Sequence, residues 1–491
     1  MAISFDRVPI DVRTPGQYIE FDPSQAVGGL ATVRNRILVV GRRLDAGEVA
    51  AATPKLVTSV EQAERFFGRG SMLANMIVAL RKVNSWTETW AIALDDDDAA
   101  AAATGSITFG GTVTQPGTIN LYIAGTRVRV GVGTGDALGD LATAAADAIN
   151  EQTDLPVTAQ ANGTTPEQVD ITARNAGEAG NDIDIRTNYY QGEEIPGDVT
   201  VTISDMTTGS ANPDISPAID AVSDSHYTTW ILPYTDQANL DALATEMDRR
   251  WGPMVQLEGH AYLGAAGTLS SLQTLGDNQN SPNISIIGAD SSPTPPWYWA
   301  AAFGGTCAYY GHIDPARPFQ TLPLTGVMAP FEQDRFDQAE REILLNDGIT
   351  TFNVADDGTV RIERAITTYQ TTDAGVPSIA YLDVNTVLTL AFLRYTTRVR
   401  IAQKYPRHKL ADNGTNFGAG QAIVTPNVIR AELITLFRQW EQAGLAENAE
   451  QFKEDLIVER DSNDPNRLNA LIPPDVVNQF RVFAGKVQFR L

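Results

Sequence analysis

Short, mostly apolar runs alternate with helical segments along much of the chain, and this alternation constrains the fold more than any other feature. RILVVG (36–41) is apolar after Arg36 and ends in glycine; TWAIAL (89–94), TTWILPY (228–234) and NISIIGA (283–289) are similarly apolar-rich, and MVQLEGHAYL (254–263) reads as a further strand. A strand apolar on both faces must be covered on both, as in a parallel sheet packed between helices. The segments in between read as those helices. VEQAERFF has Ser59 and Gln62 placed for a capping box, and SMLANMIVALRKV follows it. QANLDALATEMDRRW stands behind the cap residue Asp236, TLSSLQTL is shorter, and residues 296–310 form a buried helix. The pattern predicts a mostly parallel sheet with helices on both faces.

The alternation breaks at Asp95–Asp98 and the alanines after it. From 96 to 210 the texture is short strands with glycine turns around one helix, DALGDLATAAADAINEQ. This reads as an inserted α+β, β-rich domain. It splits the α/β core into 36–95 and 211–320. A third, α+β region spans 321–475. It holds an amphipathic helix ended by Gly348, a hairpin with a DDGT turn, a long helix with Asp383 near its start, and a helix opened by Thr425 and Pro426. Residues 1–35 and 476–491 read as extended arms.

Composition narrows the function. Formal net charge is −24 over 491 residues, so duplex nucleic acid is not an expected partner. No stretch has the length and apolarity of a membrane span, and no secretory signal opens the sequence. One cysteine, Cys307, precludes an intrachain disulfide.

The candidates for chemistry are weak. No serine sits in a G-x-S-x-G elbow, and none of the four histidines marks a nucleophile. Cys307 and His312 lack further metal ligands and read as buried helix residues. Asp95–Asp98 lacks the spacing of a calcium loop and reads as a solvated junction. GVGTGDALGDL places Asp136 where a dinucleotide fingerprint needs glycine. No catalytic, cofactor or metal site is expected, and an α/β hydrolase-like enzyme is the rejected alternative.

Two features point to assembly. Residues 394–409 carry Arg394, Arg398, Arg400 and Lys404 near one side of a helix, with no acid in the segment. Complementary charge would orient an acidic partner there. The chain also ends in KVQFRL, a strand pattern with one apolar face. A terminal strand without a sheet of its own can pair at the edge of another copy's sheet. Head-to-tail donation of this kind builds rings or filaments. Val482, Val487, Phe489 and Leu491 at one end, with Ile10, Tyr18 and Ile19 at the other, are the expected linking residues. Intrachain pairing, for instance with 454–460, is the ordinary alternative.

ISFDRVPIDVRTPGQYIEFD, NLYIAGTRVRVGV with ITARNAGEAGNDIDIR, and above all LLNDGITTFNVADDGTVRIERAITTYQT followed by YLDVNTVLTLAFLRY resemble the Mu-like contractile tail sheath proteins of bacteriophages. The resemblance runs nearly the full length and is most specific over 345–395. It implies a subtilisin-like αβα sandwich without protease chemistry, an outer insert, an inner C-terminal domain and linker arms. It implies no cofactor. Stacked hexameric rings would surround a tail tube, with baseplate and tail terminator proteins as further partners, in the virion and, during assembly, in the host cytoplasm. The basic helix becomes a candidate tube contact. A phage-derived bacteriocin or another contractile injection system would share every one of these features.

Overall fold

A computed structural model describes residues 13–19, 30–418 and 420–490. They divide into two compact units. One comprises residues 34–391 with 478–490; the other comprises the described residues before 34 together with 392–477.

The larger unit opens with β1 (Arg36–Arg42), β2 (Lys55–Val57), α1 (Val60–Phe67), α2 (Met72–Val83) and β3 (Glu88–Leu94). Ser59 caps α1 by accepting from the Gln62 amide at 3.2 Å. The Gln62 side chain reaches back to the Thr58 amide at 2.8 Å, not to Ser59, so the capping box is displaced by one residue.

The insert follows, with β4 (Thr104–Thr112), β5 (Gly117–Ile123), β6 (Thr126–Val132), α3 (Leu138–Glu151), β7 (Val157–Ala161), β8 (Gln168–Ala173), β9 (Ile185–Thr187) and β10 (Asp198–Thr207). They form two antiparallel sheets, ordered β10-β4-β8-β7 and β6-β5-β9. Helix α3 packs on strands of both sheets. The aspartates before the insert hold its neck. Asp95 pairs with Arg43 at 2.6 Å, and Asp96 accepts from the Ala176 amide at 2.8 Å and from Asn175 at 3.2 Å. A second contact joins Tyr189 to the Ala329 carbonyl at 2.8 Å and Arg186 to that of Ser291 at 2.8 Å.

The core resumes with α4 (Ser216–Ala221), β11 (Thr229–Ile231), α5 (Gln237–Trp251), β12 (His260–Ala266), α6 (Leu269–Asp277), β13 (Ile284–Ala289), α7 (Pro296–Ile313), α8 (Gln338–Asn346), β14 (Ile349–Val354), β15 (Val360–Arg364) and α9 (Val384–Lys404). One eight-stranded sheet runs β15-β14-β13-β12-β11-β1-β3-β2. Its six inner strands are parallel, and β2 and β15 are antiparallel edges. Side-chain alternation assigns the layers. A Cβ on Gly264 would lie 2.3 Å from the Pro296 carbonyl oxygen, so α7 presses on that face. Trp230 is in register with Ala261, three residues from Gly264 and therefore on the opposite face. There Arg250 of α5 stacks 4.7 Å from its ring. Leu272 of α6 lies against Gly288, whose neighbour Ile287 is in register with Gly264; α6 thus shares the face of α5. Helices cover both faces, giving a three-layer α/β/α body.

Some expectations need correction. The segment MVQLEGHAYL is a strand only from His260, because a turn at 252–256 precedes it. The boundary at 320/321 does not divide the compact units. The run ITTFNV is apolar enough to join the central sheet beside β13, and the division falls inside α9, between Ala391 and Phe392. His312 is exposed at the end of α7, whereas Cys307 is fully buried.

The smaller unit adds β16 (Lys409–Leu410), β17 (Ile423–Val424), α10 (Pro426–Gln442), β18 (Ala446–Glu447), α11 (Ala449–Asp455), β19 (Ile457–Arg460), β20 (Leu468–Leu471) and β21 (Asp475–Val476). Its core lies under α10. Phe437 stacks on Phe452 at 4.1 Å, and the buried Trp440 donates to Thr396 at 3.0 Å. The strands form three two-stranded ladders, β16-β17, β18-β21 and β19-β20, each marginal by itself. FKED belongs to α11 and the β19 partner is LNAL, a strand not anticipated from the sequence.

Candidate linking arms and the basic helix

The last ladder residue of the chain is Val476, in register with Ala446. From 478 to 490 the backbone has no regular secondary structure and pairs with no strand of the described residues. Phe480, Val482, Phe483, Val487 and Phe489 are between 78% and 88% exposed. Five large apolar side chains within ten residues are an uncommon thing to leave in water. The arm also carries Arg481, Lys486 and Arg490 and no acid, in a chain of net charge −24. Its backbone groups and its apolar alternation are what a strand needs to add to an open edge. Leu491 and Ile10 lie outside the described residues. Tyr18 and Ile19 are exposed, and the Tyr18 hydroxyl donates to the Thr14 carbonyl at 3.0 Å.

Arg481 breaks the arm's exposure. Its side chain is 12% exposed and donates to Asp383 at 3.0 Å. Asp383, just ahead of α9, also accepts from Nε and Nη2 of Arg364, each at 3.1 Å. Sequence reasoning passed over this cluster. Nothing local in the sequence links Arg481 to Asp383 and Arg364, 98 and 117 positions away.

On α9, Lys404 pairs with Glu432 of α10 at 2.9 Å and Arg400 with the same carboxylate at 3.5 Å. Tyr405 donates to it at 3.2 Å. Burial, then the Glu432 charge, pushes the Tyr405 phenol up to about 12. The guanidinium of Arg398 lies 5.6 Å from the Tyr395 ring and is exposed, and Arg394 is half-buried. Glu432 therefore neutralises part of the cationic face from within its own unit. The acid sits on the buried side of the PNVIRAELITLF helix, and its reach to α9 depends on tertiary packing.

The positions weighed for chemistry have structural partners. The carboxylate of Asp136 accepts from the Gly133 amide at 2.6 Å, filling the loop that a phosphate would need. His260 is buried with Nε2 at 2.8 Å from Ser285 Oγ, and burial pushes its pKa down to about 3. A cleft of about 210 Å³ opens beside β13 and β14. It is lined by Arg335, Phe336, Arg341, Thr351, Phe352 and others, with no His, Cys, Ser or carboxylate among the lining residues. Among the described residues no group of three His, Cys, Asp or Glu could hold a metal ion, and no helix is long and apolar enough to cross a membrane.

Comparison with known proteins bears on what such a surface serves. The family model of the phage tail sheath protein central domain matches residues 208–368, and that of the phage tail sheath C-terminal domain matches 377–490. A Mu-like prophage FluMu tail sheath protein from Haemophilus influenzae is 41% identical over 491 residues, covering all of both chains. Among solved structures, the sheath tail protein of Desulfitobacterium hafniense is similar at 14% identity, with a TM-score of 0.48, covering 94% of this chain and 100% of that one. The sheath tail protein of Listeria innocua is similar at 12% identity, with a TM-score of 0.49, covering 92% and 94%. On the full-length identity and the two domain matches, this chain belongs to the family of Mu-like phage tail sheath proteins.

Proposed function

We propose that the chain polymerises as stacked hexameric rings around a tail tube and contracts to drive that tube through a host envelope. The exposed arm 478–490 carries this reading: among the described residues its backbone pairs with no strand, and its large apolar side chains stand in water. Contraction is then a downhill passage between two packings of the same subunits, with differential contacts supplying the free energy. No cofactor or covalent chemistry enters. The arms stay paired while body-to-body contacts change, and baseplate proteins set the moment of release. The three-layer body supports the subtilisin-like description. The inserted domain, 96–210, is assigned to the outer surface of the sheath. The product resides in the virion after assembly in the host cytoplasm, with tube and terminator proteins as further partners.

Electron microscopy of the purified protein tests this directly. Striated cylinders or rings are expected at high protein concentration, and a persistently monomeric protein under all assembly conditions sinks the reading. For the tube contact, Arg398 is the cation to change first because it is exposed on α9. Arg398→Glu is expected to leave the subunit folded and to lower the yield of sheath around co-expressed tubes by about tenfold, as loss of a complementary charge contact would. An unchanged yield removes the basic helix from the tube interface.

A further inference from the structure

We propose that Asp383 is the root of the C-terminal arm: by holding Arg481 it fixes where the arm leaves the body and which residues are free to be donated. This rests on reading the arm as a donated strand. Arg481 is sequestered, whereas Phe480, Val482 and Phe483 on either side of it are about four-fifths exposed. A random tail would bury a phenylalanine before an arginine, so the order seen here needs a receptor for the cation.

Asp383 has the properties of such a receptor. It stands immediately before the first residue of α9, a 21-residue helix, where the helix dipole favours a carboxylate. Arg364, at the end of β15, holds it with two hydrogen bonds of 3.1 Å, so its orientation is set before the arm arrives. The Arg481 guanidinium then adds a charge-assisted bond at 3.0 Å and a second contact to Gln479. Because Arg364 remains on Asp383 if Arg481 is removed, the start of α9 does not depend on the arm. Arg481 is thus a positioning residue and not part of the fold's foundation. Beyond it, residues 482–490 are unanchored and could extend to roughly 30 Å at about 3.3 Å per residue. On the proposed donation that length is available to span to an adjacent subunit, and Val482, Val487 and Phe489 fall within it.

Trypsin reads the anchor without any assembly. In the full-length unassembled protein, cleavage after Lys486 is expected to be about tenfold faster than after Arg481, because cutting follows the open population of each site. Asp383→Asn should bring the Arg481 cut to within about twofold of the Lys486 cut. Equal rates in the unaltered protein, or an unchanged ratio in Asp383→Asn, overturn the anchor. Should Asp383→Asn fail to fold, Arg481→Ala decides instead, since it spares the Arg364–Asp383 pair. Arg481→Ala is expected to melt like the parent and to lose most assembly, with Arg481→Lys restoring it; normal assembly of Arg481→Ala overturns the proposal. A protein lacking 480–491 separates the two readings. If it still assembles, donation by the arm is wrong whatever trypsin reports. If it does not assemble but Arg481→Ala does, donation survives and the anchor falls.

Discussion

Deleting residues 480–491 yields a soluble, folded subunit that does not form rings or cylinders. The body loses little, because the removed apolar side chains make no core: Phe480, Phe483, Val487 and Phe489 are all mostly in water. Asp383 keeps its bidentate partner Arg364, so the start of α9 is retained and melting temperature shifts by at most a few degrees. Assembly loses much more. Burying a Val or Phe side chain is worth about 1.5–3 kcal/mol, and each ladder hydrogen bond adds about 0.5–1.5 kcal/mol net. On the proposed donation every copy both gives and receives an arm, so the deletion would remove all such links at once. Circular dichroism and light scattering on the same sample separate the two effects. Native-like melting with complete loss of scattering by polymers is the expected pair. Polymers of normal diameter from the deleted protein would mean that body-to-body contacts alone build the sheath.

The layered core could be read from the sequence because the inner strands are short and mostly apolar on both faces, and many of the helices have a local start signal. Ser59, Ser71, Asp236, Thr268 and Thr425 all accept a hydrogen bond from the first turn of the helix that they precede. Turn signals of this kind are local, so they survive without tertiary information. The place of β14 was not readable. ITTFNV and VRIER look like an isolated hairpin, and pairing of Ile349 with Ile286 and of Thr350 with Ile287 attaches them to the central sheet. The arm illustrates the opposite failure. Its alternation specifies a strand, yet a strand needs a ladder partner, and β19 is already paired with β20. The periodicity therefore identified a capacity to pair, while the structure leaves that capacity unused among the described residues. The basic helix was readable as charge but not as free charge, since Glu432 lies 28 residues from Lys404 in sequence.

Glu246→Ala is expected to be the most destabilising single substitution in the larger unit, by about 3–5 kcal/mol, the usual cost of stranding one member of a buried ion pair. The Arg250 side chain is fully buried. It donates to Glu246 at 2.6 Å, to the Ser225 carbonyl at 2.7 Å and to that of Val222 at 2.9 Å, and it stacks on Trp230. Glu246 is also held by Arg249 at 2.7 and 2.9 Å. The pair pins α5 across β11, which has only three residues of its own, so a stranded cation there loosens the middle of the sheet. Acid should act in the same direction. Burial raises the Glu246 pKa, but hydrogen bonds from Arg249 and the Arg250 charge outweigh it, and the net shift is downward. A carboxylate whose folded pKa lies below its unfolded value stabilises above the unfolded value, near 4.5, and that contribution disappears as pH falls through the lowered folded value. Urea unfolding of the unaltered protein and of Glu246→Gln, compared at pH 7 and pH 3, reads this linkage. The gap between the two should be widest at pH 7 and narrow on acidification. A gap below about 1 kcal/mol at pH 7, small against the cost of a stranded buried charge, or one that widens in acid, would mean that the carbonyls of Val222 and Ser225 suffice to hold Arg250.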